Sequence, residues 1–442
     1  MRKQQGRYTN RLPEFVDDAR SAAQVSRLSE EQLDTSEWFN DKLAGVSRRD
    51  FMRIAKRWGL TSTYFAAAGM GGVFSAEALA QKTRSVYERR LGEAKYTMKL
   101  GSVANWDNNR IIRLGYYHFA RDVEDRTNGA IQVEILDANS ICSEQVCIQK
   151  VMQGVLDMGT SSTQNASSVA PWLNAIDFPY MFQSAGQLYH FFYNPKSDRL
   201  FREVYRKKNR MEFLFSLCEM RNLFMGLKWK DKPPVTKVGD LAGTKNRVTN
   251  TQLGRIAMQL MELNPVPVAW VETLDALKNG LIDGMETWTS ATTAFNMAPV
   301  VAKYVGLKFI PGTGHTAINT RTLDKIGSEL SEEIFEAAYY AQQQVMYANE
   351  AALALVSGEV PNPSPNTIFG KTGTEMNFLS VEALDECAEI ASPKREEYNR
   401  WHEKLNEMAG FNVYEEMLPV AREYDRQAQA IDVEPRRWWR SA

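Results

Sequence analysis

Arg247 and the run Glu286-Thr287-Trp288, some forty residues apart, are the residues whose types and spacing best suggest chemistry. A guanidinium is a planar fork of donors that can pair a carboxylate through two parallel hydrogen bonds, which a lysine ammonium cannot reproduce. An acid, a hydroxyl and an indole following it supply a counter-charge, a short donor and an apolar wall. Nothing in the stretch from Asp240 to Trp288 resembles a nucleophile with its base. The chemistry indicated is therefore recognition of a small anion, with Arg247 as the cationic anchor.

Those residues need elements to hold them. Lys245 to Thr249 is a predicted strand entered through Gly243, and Asn250 or Thr251 suits the N-cap of the helix that follows. Leu253, Ile256, Ala257, Leu260 and Met261 recur at helical spacing until Asn264-Pro265. Val266 to Trp270 is extended, Leu274 to Asn279 is a short helix ended by Gly280, and Leu281 to Met285 leads into the next strand. Strands and helices alternating at this length predict a mostly parallel α/β unit. Such sheets bind ligands beyond the carboxyl ends of their strands, beside helix N-termini, and Arg247 lies near such an end.

The rest of the chain repeats the pattern. Strands are predicted at Tyr96–Val103, Ile131–Leu136, Met158–Ser162 and Phe213–Glu219, with helices at Ile111–Thr127 and Glu144–Gln153. Thr163-Gln164-Asn165 reads as a polar turn. Ser331 is predicted to cap a long helix running to about Val356, long enough to span two lobes. Ser380 to Met408 reads as helical, and the tail from Asp432, with Trp438 and Trp439, as surface-packed. Asn105, Trp106, Gln164 and Asn250 lie in loops expected at strand ends and join the cleft candidates. His315 reads as a satisfied core histidine.

Composition narrows the function classes. A chain of 442 residues can hold two domains with real cores, and a net charge of -1 argues against a nucleic-acid partner. Four cysteines and four histidines are too few and too scattered for a zinc module. No apolar run suits a lasting membrane span. Ser47-Arg48-Arg49-Asp50-Phe51-Met52-Arg53, the mildly apolar Gly59–Phe74 and Ala78-Leu79-Ala80 fall in the order of a twin-arginine export signal, with cleavage after Ala80 and Gln81 as mature N-terminus. The polar residues 1–46 ahead of it have no assigned role. In an oxidising compartment Cys142 and Cys147 either form a small disulfide, which requires Cys142 in the loop before the helix, or remain two thiols. Cys218 and Cys387 read as apolar fillers.

With Arg221-Asn222, Gly243 to Val248 and Leu281 to Glu286 in sequence, the chain resembles the solute receptors of tripartite ATP-independent periplasmic (TRAP) transporters, of the dicarboxylate-receptor type. The resemblance covers roughly Tyr96 to Met408. It includes Gln153-Gly154-Val155-Leu156-Asp157-Met158, Asp177-Phe178-Pro179-Tyr180-Met181-Phe182 and Asn264-Pro265-Val266-Pro267. It implies an α/β, two-lobed periplasmic binding protein-like fold with a long helix spanning both lobes, no cofactor, and delivery of an organic acid to small and large membrane subunits. The expected organisation is 1–80 extension and signal, 81–218 with about 314–345 as lobe I, 219–313 with about 346–410 as lobe II, and 411–442 as tail. Arg247 matches the family's carboxylate-binding arginine. Arg221 matches a second one, which either contacts ligand or forms an interlobe salt bridge. Glu286-Thr287-Trp288 departs from the commoner Gly-Gln-Glu-Asn-Pro run: Thr287 replaces an amide and Trp288 a proline. A subgroup with Glu-Trp here uses a cation to hold 2-oxo or 2-hydroxy acids, which makes Glu286 either a cation ligand or a structural carboxylate. Against this reading stands an exported enzyme or a ligand-sensing subunit on the same fold. No G-x-S-x-G, H-E-x-x-H, Cys-x-x-Cys-His or Gly-rich dinucleotide fingerprint supports the enzyme.

Overall fold

The computed structural model describes residues 94–105, 108 and 111–440. The export signal, the extension 1–80 and Trp106 lie outside the described residues. The described residues divide into two compact units, one combining 94–96 with Glu124–Gln132, the other Thr97–Val123 with the chain from Val133 on. In the first, the Gly129 amide donates to the Glu124 carbonyl at 2.8 Å and closes a helix end. The second carries the two lobes.

Lobe I is built on a five-stranded sheet. Its strands are β1 (Tyr96–Gly101), β2 (Ile131–Leu136), β3 (Met158–Ser162), β4 (Met211–Met220) and β10 (Pro311–Asn319), in the order β2-β1-β3-β10-β4. Lobe II is built on a six-stranded sheet of β5 (Asn222–Gly226), β6 (Lys245–Val248), β7 (Asn264–Pro267), β8 (Gly284–Thr287), β9 (Val301–Val305) and β11 (Glu375–Asn377), in the order β11-β9-β5-β8-β6-β7. The helices that matter below are α1 (Tyr116–Arg126), α2 (Glu144–Gln153), α3 (Thr163–Ala166), α4 (Gln252–Leu260), α5 (Thr289–Ala294), α6 (Ser328–Ala352), α7 (Val381–Ile390) and α8 (Asn399–Ala409).

The chain passes between sheets at two strand pairs. β4 runs into β5 through Arg221 alone, and β9 returns to β10 through residues 306–310. The two passages are tied together, because the Arg221 amide donates to the Ile310 carbonyl at 2.9 Å. Every residue of β4 is buried although it is the edge strand of its sheet, because helices cover it. α6 packs along β4. It ends in a wide turn, Leu353–Ser357, whose last hydroxyl meets Thr293 of α5 at 2.8 Å. This long helix therefore bridges the lobes. In lobe II, Leu223, Val248, Met258, Val305 and Phe309 share one buried cluster, which explains the apolar period of the sequence around α4.

Several local expectations need correction. The helix expected from Ile111 is broken: Ile111 and Ile112 are helical, but α1 starts afresh at Tyr116, since Arg113 and Gly115 have φ of 42° and 79°. A Cβ at Gly115 would lie 2.4 Å from Val345 Cγ2, so the glycine lets this loop approach α6 closely. α6 begins at Ser328 behind Gly327. Ser331 lies inside the helix and its hydroxyl donates to Leu323 O at 3.1 Å. The expected helix Ser380–Met408 is two helices, α7 and α8, with Pro393 in the break. Thr163-Gln164-Asn165 is the buried start of α3 rather than a solvated turn; Ser162 caps it by accepting from the Asn165 amide at 3.1 Å.

The tail, expected to pack on the surface, does so except at Val433 and Trp438, which are buried. Trp438 is buried and lies 4.4 Å from the Arg202 guanidinium. Arg202 is itself buried, and donates to the Phe192 and Phe213 carbonyls and the Ser197 hydroxyl. An indole face is a natural cover for such a cation. Cys142 and Cys147 form a disulfide, with Cys142 in the loop ahead of α2 as the bridge requires. Cys218 and Cys387 are buried and unbridged.

Candidate functional site

The cavity forms where β6 and β8 of lobe II end opposite β3 and α2 of lobe I. It encloses about 590 Å³ of empty space, open mouth included. β6 pairs in parallel with both β7 and β8, and Arg247 stands in register with Val266 and Met285. Strand pairing fixes its backbone, and two carbonyls fix its side chain. Nε donates to Val268 O at 3.2 Å and Nη1 to Glu286 O at 2.9 Å. Its Nη2 donates no hydrogen bond to the described residues. The guanidinium lies 5.3 Å from the Trp270 ring. Burial pushes the Arg247 pKa down to about 10, against the pull of Glu286, so the group stays cationic at neutral pH.

Behind Arg247 lies a buried chain of polar groups. The Glu286 carboxylate accepts from Arg221 Nη1 at 2.5 Å and from the Thr249 amide at 3.1 Å, and lies 3.8 Å from Arg247 Nη1. Arg221 Nη2 donates to Gln164 Oε1 at 3.2 Å, and Gln164 Nε2 donates to Asp177 at 2.6 Å and to Pro311 O at 3.1 Å. Burial raises Asp177 to about 7, although hydrogen bonds from Gln164 and Thr251 oppose it. Arg221, at the passage between sheets, thus makes its salt bridge to Glu286 within lobe II, reaches Gln164 of lobe I by a hydrogen bond and also faces the cavity.

The structure sorts the sequence candidates. Arg247, Arg221, Thr287 and Trp288 face one cavity. Glu286 and Gln164 are buried behind that wall and hold the arginines in place. Both Glu286 oxygens already accept hydrogen bonds, which is the structural-carboxylate arrangement. Asn250 sits at the start of the α4 turn, whose cap is Thr251, accepting from the Gly254 amide at 3.2 Å. Asn105 exchanges hydrogen bonds with Asn108 at 3.2 and 2.9 Å. Neither side chain lines the cavity.

Trp288 has a seat made for it. A Cβ on Gly312 would fall 2.6 Å from its Cδ1, and one on Gly314 3.1 Å from its Cη2. The indole of lobe II therefore lies flat on two glycines of a lobe I strand, with the Arg221 guanidinium 5.3 Å from the ring. The opposite wall was not foreseen. Glu144, Ser161, Ser162 and Asn165 line it, and Trp270 and Phe295 close the side. Glu144 reads in sequence as an ordinary acid in a first helical turn. Its role depends on β3 ending beside it, which no local spacing reveals.

Nothing here activates a nucleophile. The Ser161 hydroxyl donates to the Glu144 carbonyl at 2.8 Å, while His315 meets the Ser161 carbonyl at 2.8 Å and the Tyr205 hydroxyl at 3.3 Å. His315 stacks on Phe213, and burial pushes its pKa down to about 4, so it is a neutral core residue. No cluster of three potential metal ligands occurs among the described residues.

A model of the bacterial extracellular solute-binding proteins of family 7 matches residues 103–358, more than half of the chain. The chain belongs to that family. Family 7 proteins of the TRAP type are receptors that bind and do not transform their ligands, which sets the enzyme alternative aside. A solute-binding protein of Roseobacter denitrificans is 25% identical over 56% of this chain and 73% of its own length. The 2,3-diketo-L-gulonate-binding periplasmic protein of Escherichia coli is 24% identical over 37% of this chain and 48% of its own. Among solved structures, a TRAP periplasmic solute-binding protein from a Sulfitobacter species, with bound β-D-galacturonate, superimposes with a TM-score of 0.60. It is 19% identical and covers 74% of this chain and all of the other. A second, from Sulfurospirillum deleyianum with bound succinate, gives 0.57 at 17% identity, covering 74% of this chain and all of that one. These likenesses establish the two-lobed α/β fold of this family 7 chain.

Proposed function

We propose that this receptor captures a small organic acid, held by its carboxylate on Arg247, and delivers it to the small and large membrane subunits of a TRAP permease. The observation that carries the reading is the Arg247 guanidinium. Two of its nitrogens are fixed on backbone carbonyls and its remaining edge lies at the cavity. A cation oriented before the ligand arrives loses little entropy on binding. Thr287 stands beside it as a further donor, and Arg221 braces the same wall. Relatives with bound galacturonate, succinate and D-glucuronate support an organic acid as ligand.

The organisation that goes with this function assigns 1–80 to extension and signal and divides lobe I from lobe II near 218. Export through Arg48-Arg49 with cleavage after Ala80 would place the receptor in the periplasm. No helix among the described residues is long and apolar enough to cross a membrane. The test is Arg247→Lys. The lysine keeps the charge and loses the fork, and affinity for any acid ligand should fall at least ~30-fold, on the order of 2–5 kcal/mol. The measurement is the ligand-induced rise in melting temperature across a panel of carboxylates. Equal rises for both proteins would exclude the anchor role.

A further inference from the structure

The cavity holds an acid as well as cations. Glu144, the first residue of α2, lines the wall facing Arg247. Its Oε1 accepts from the Ser162 amide at 2.7 Å and its Oε2 from Asn165 Nδ2 at 2.7 Å. Each carboxylate oxygen has two acceptor sites, so each retains one. The turn is tightly held, with the Cys142–Cys147 disulfide spanning Glu144 and the Ser161 hydroxyl donating to its carbonyl. A fixed carboxylate with acceptor capacity at a cavity wall calls for a donor on the ligand.

Charge narrows the donor. Among the described residues, Arg221 and Arg247 are matched by Glu286 behind the wall and Glu144 across the cavity. A dicarboxylate adds two negative charges to that balance, a simple acid adds one, and a zwitterion adds none. Ile112, Leu114, Ala291 and Phe295 give part of the remaining wall to an apolar body, beside the hydroxyls of Ser102, Thr160 and Thr287.

We propose that the ligand is a zwitterion on a small apolar body, with its carboxylate on Arg247 and its cationic nitrogen on Glu144. The inference rests on the carboxylate-anchor reading of Arg247 and adds the second contact. It sets this receptor apart from those relatives whose structures hold succinate or sugar acids.

The test uses matched probes that differ only in the nitrogen: L-leucine against 4-methylpentanoate, and 5-aminopentanoate against pentanoate, with succinate and D-glucuronate alongside. Titration calorimetry should show at least one zwitterion binding tenfold or more tightly than its partner acid and than both controls. Glu144→Gln should reduce that preference to about threefold or less. Equal binding within both pairs, tighter binding of succinate or glucuronate, binding by neither zwitterion, or a preference that survives Glu144→Gln would overturn the inference. The wild-type comparison stands even if the variant folds poorly. Arg247→Lys separates the two claims: a plain acid lost with that change leaves the anchor standing while the zwitterion falls, and acids indifferent to it remove both.

Discussion

The two walls of the cavity are built alike and charged oppositely. Each lies where parallel strands end and a short helix begins, β6 and β8 in lobe II and β3 in lobe I. On the lobe II wall the charged group is a cation, and its surroundings are a relay of side chains: Glu286, Arg221, Gln164 and Asp177. On the lobe I wall the charged group is Glu144, and its support is local, a backbone amide, one side-chain amide and a disulfide. The same strand-end architecture thus hosts either sign, and the supporting groups decide which. A buried cation requires a buried counter-charge, whereas a carboxylate can rest on amides already in place.

If that contrast is right, the lobe II wall should be the fragile one. Glu286→Gln leaves Arg221 and Arg247 facing each other without compensation, and should destabilise the empty receptor by about 3–5 kcal/mol. Denaturant unfolding of the ligand-free protein measures this. The same variant should show a larger stabilisation by bound carboxylate than wild type, because the ligand then supplies the missing charge. A loss below ~1 kcal/mol would mean that Glu286 does not hold the relay together. Arg247→Lys follows at about 2–5 kcal/mol, read in binding.

The lobe I wall should lose less. Cys142→Ser with Cys147→Ser opens a loop of only a few residues, so the chain-entropy contribution is about 2 kcal/mol. If the bridge also holds Glu144 at the cavity, affinity should fall together with melting temperature. A fall in melting temperature alone would leave the disulfide a staple of the fold and detach it from the site.

The two walls also differ in how far they could be read from sequence. Arg247 drew notice through the family run it sits in, since an arginine near a strand end is ordinarily a surface charge. Thr287 and Trp288 were legible as departures from that run. The α/β character followed from alternating periodicities, the two-lobed plan from the family resemblance, and the long helix from its apolar face. What escaped depends on contacts distant in sequence. Gln164 looked like a solvated turn residue until β10 and the Asp177 loop closed over it. Glu144 looked like a helix-start acid until the end of β3 was laid against it. Asn105 failed because its partner is three residues away, a local pairing that competes with any role in the cleft. Trp438 lacked a signal because Arg202, which it covers, is more than two hundred residues earlier.

The smallest expected effect tests whether the relay across the lobes is electrically as described. Burial raises Asp177 to about 7, against an ordinary carboxyl near 4. Between those values the folded chain holds a proton that the unfolded chain has released. Stability from this group is therefore fully present below about pH 4 and is lost as pH rises through about 7. Glu219 is raised to about 7 in the same way, with its oxygens on the Ser290 amide and Asn349, so it adds a parallel slope. Asp177→Asn keeps the neutral form at every pH and removes this group's contribution. Comparing melting temperatures at pH 5.5 and pH 8, the variant should fall less than wild type, by an amount on the order of 1 kcal/mol. The other titrating groups cancel in that difference. An unchanged slope would mean that Asp177 is ionised in the folded protein, and that the lobe II cations are then balanced by a third carboxylate as well as by Glu286 and Glu144. That would tip the cavity walls toward net negative charge and strengthen the demand for a cationic group on the ligand.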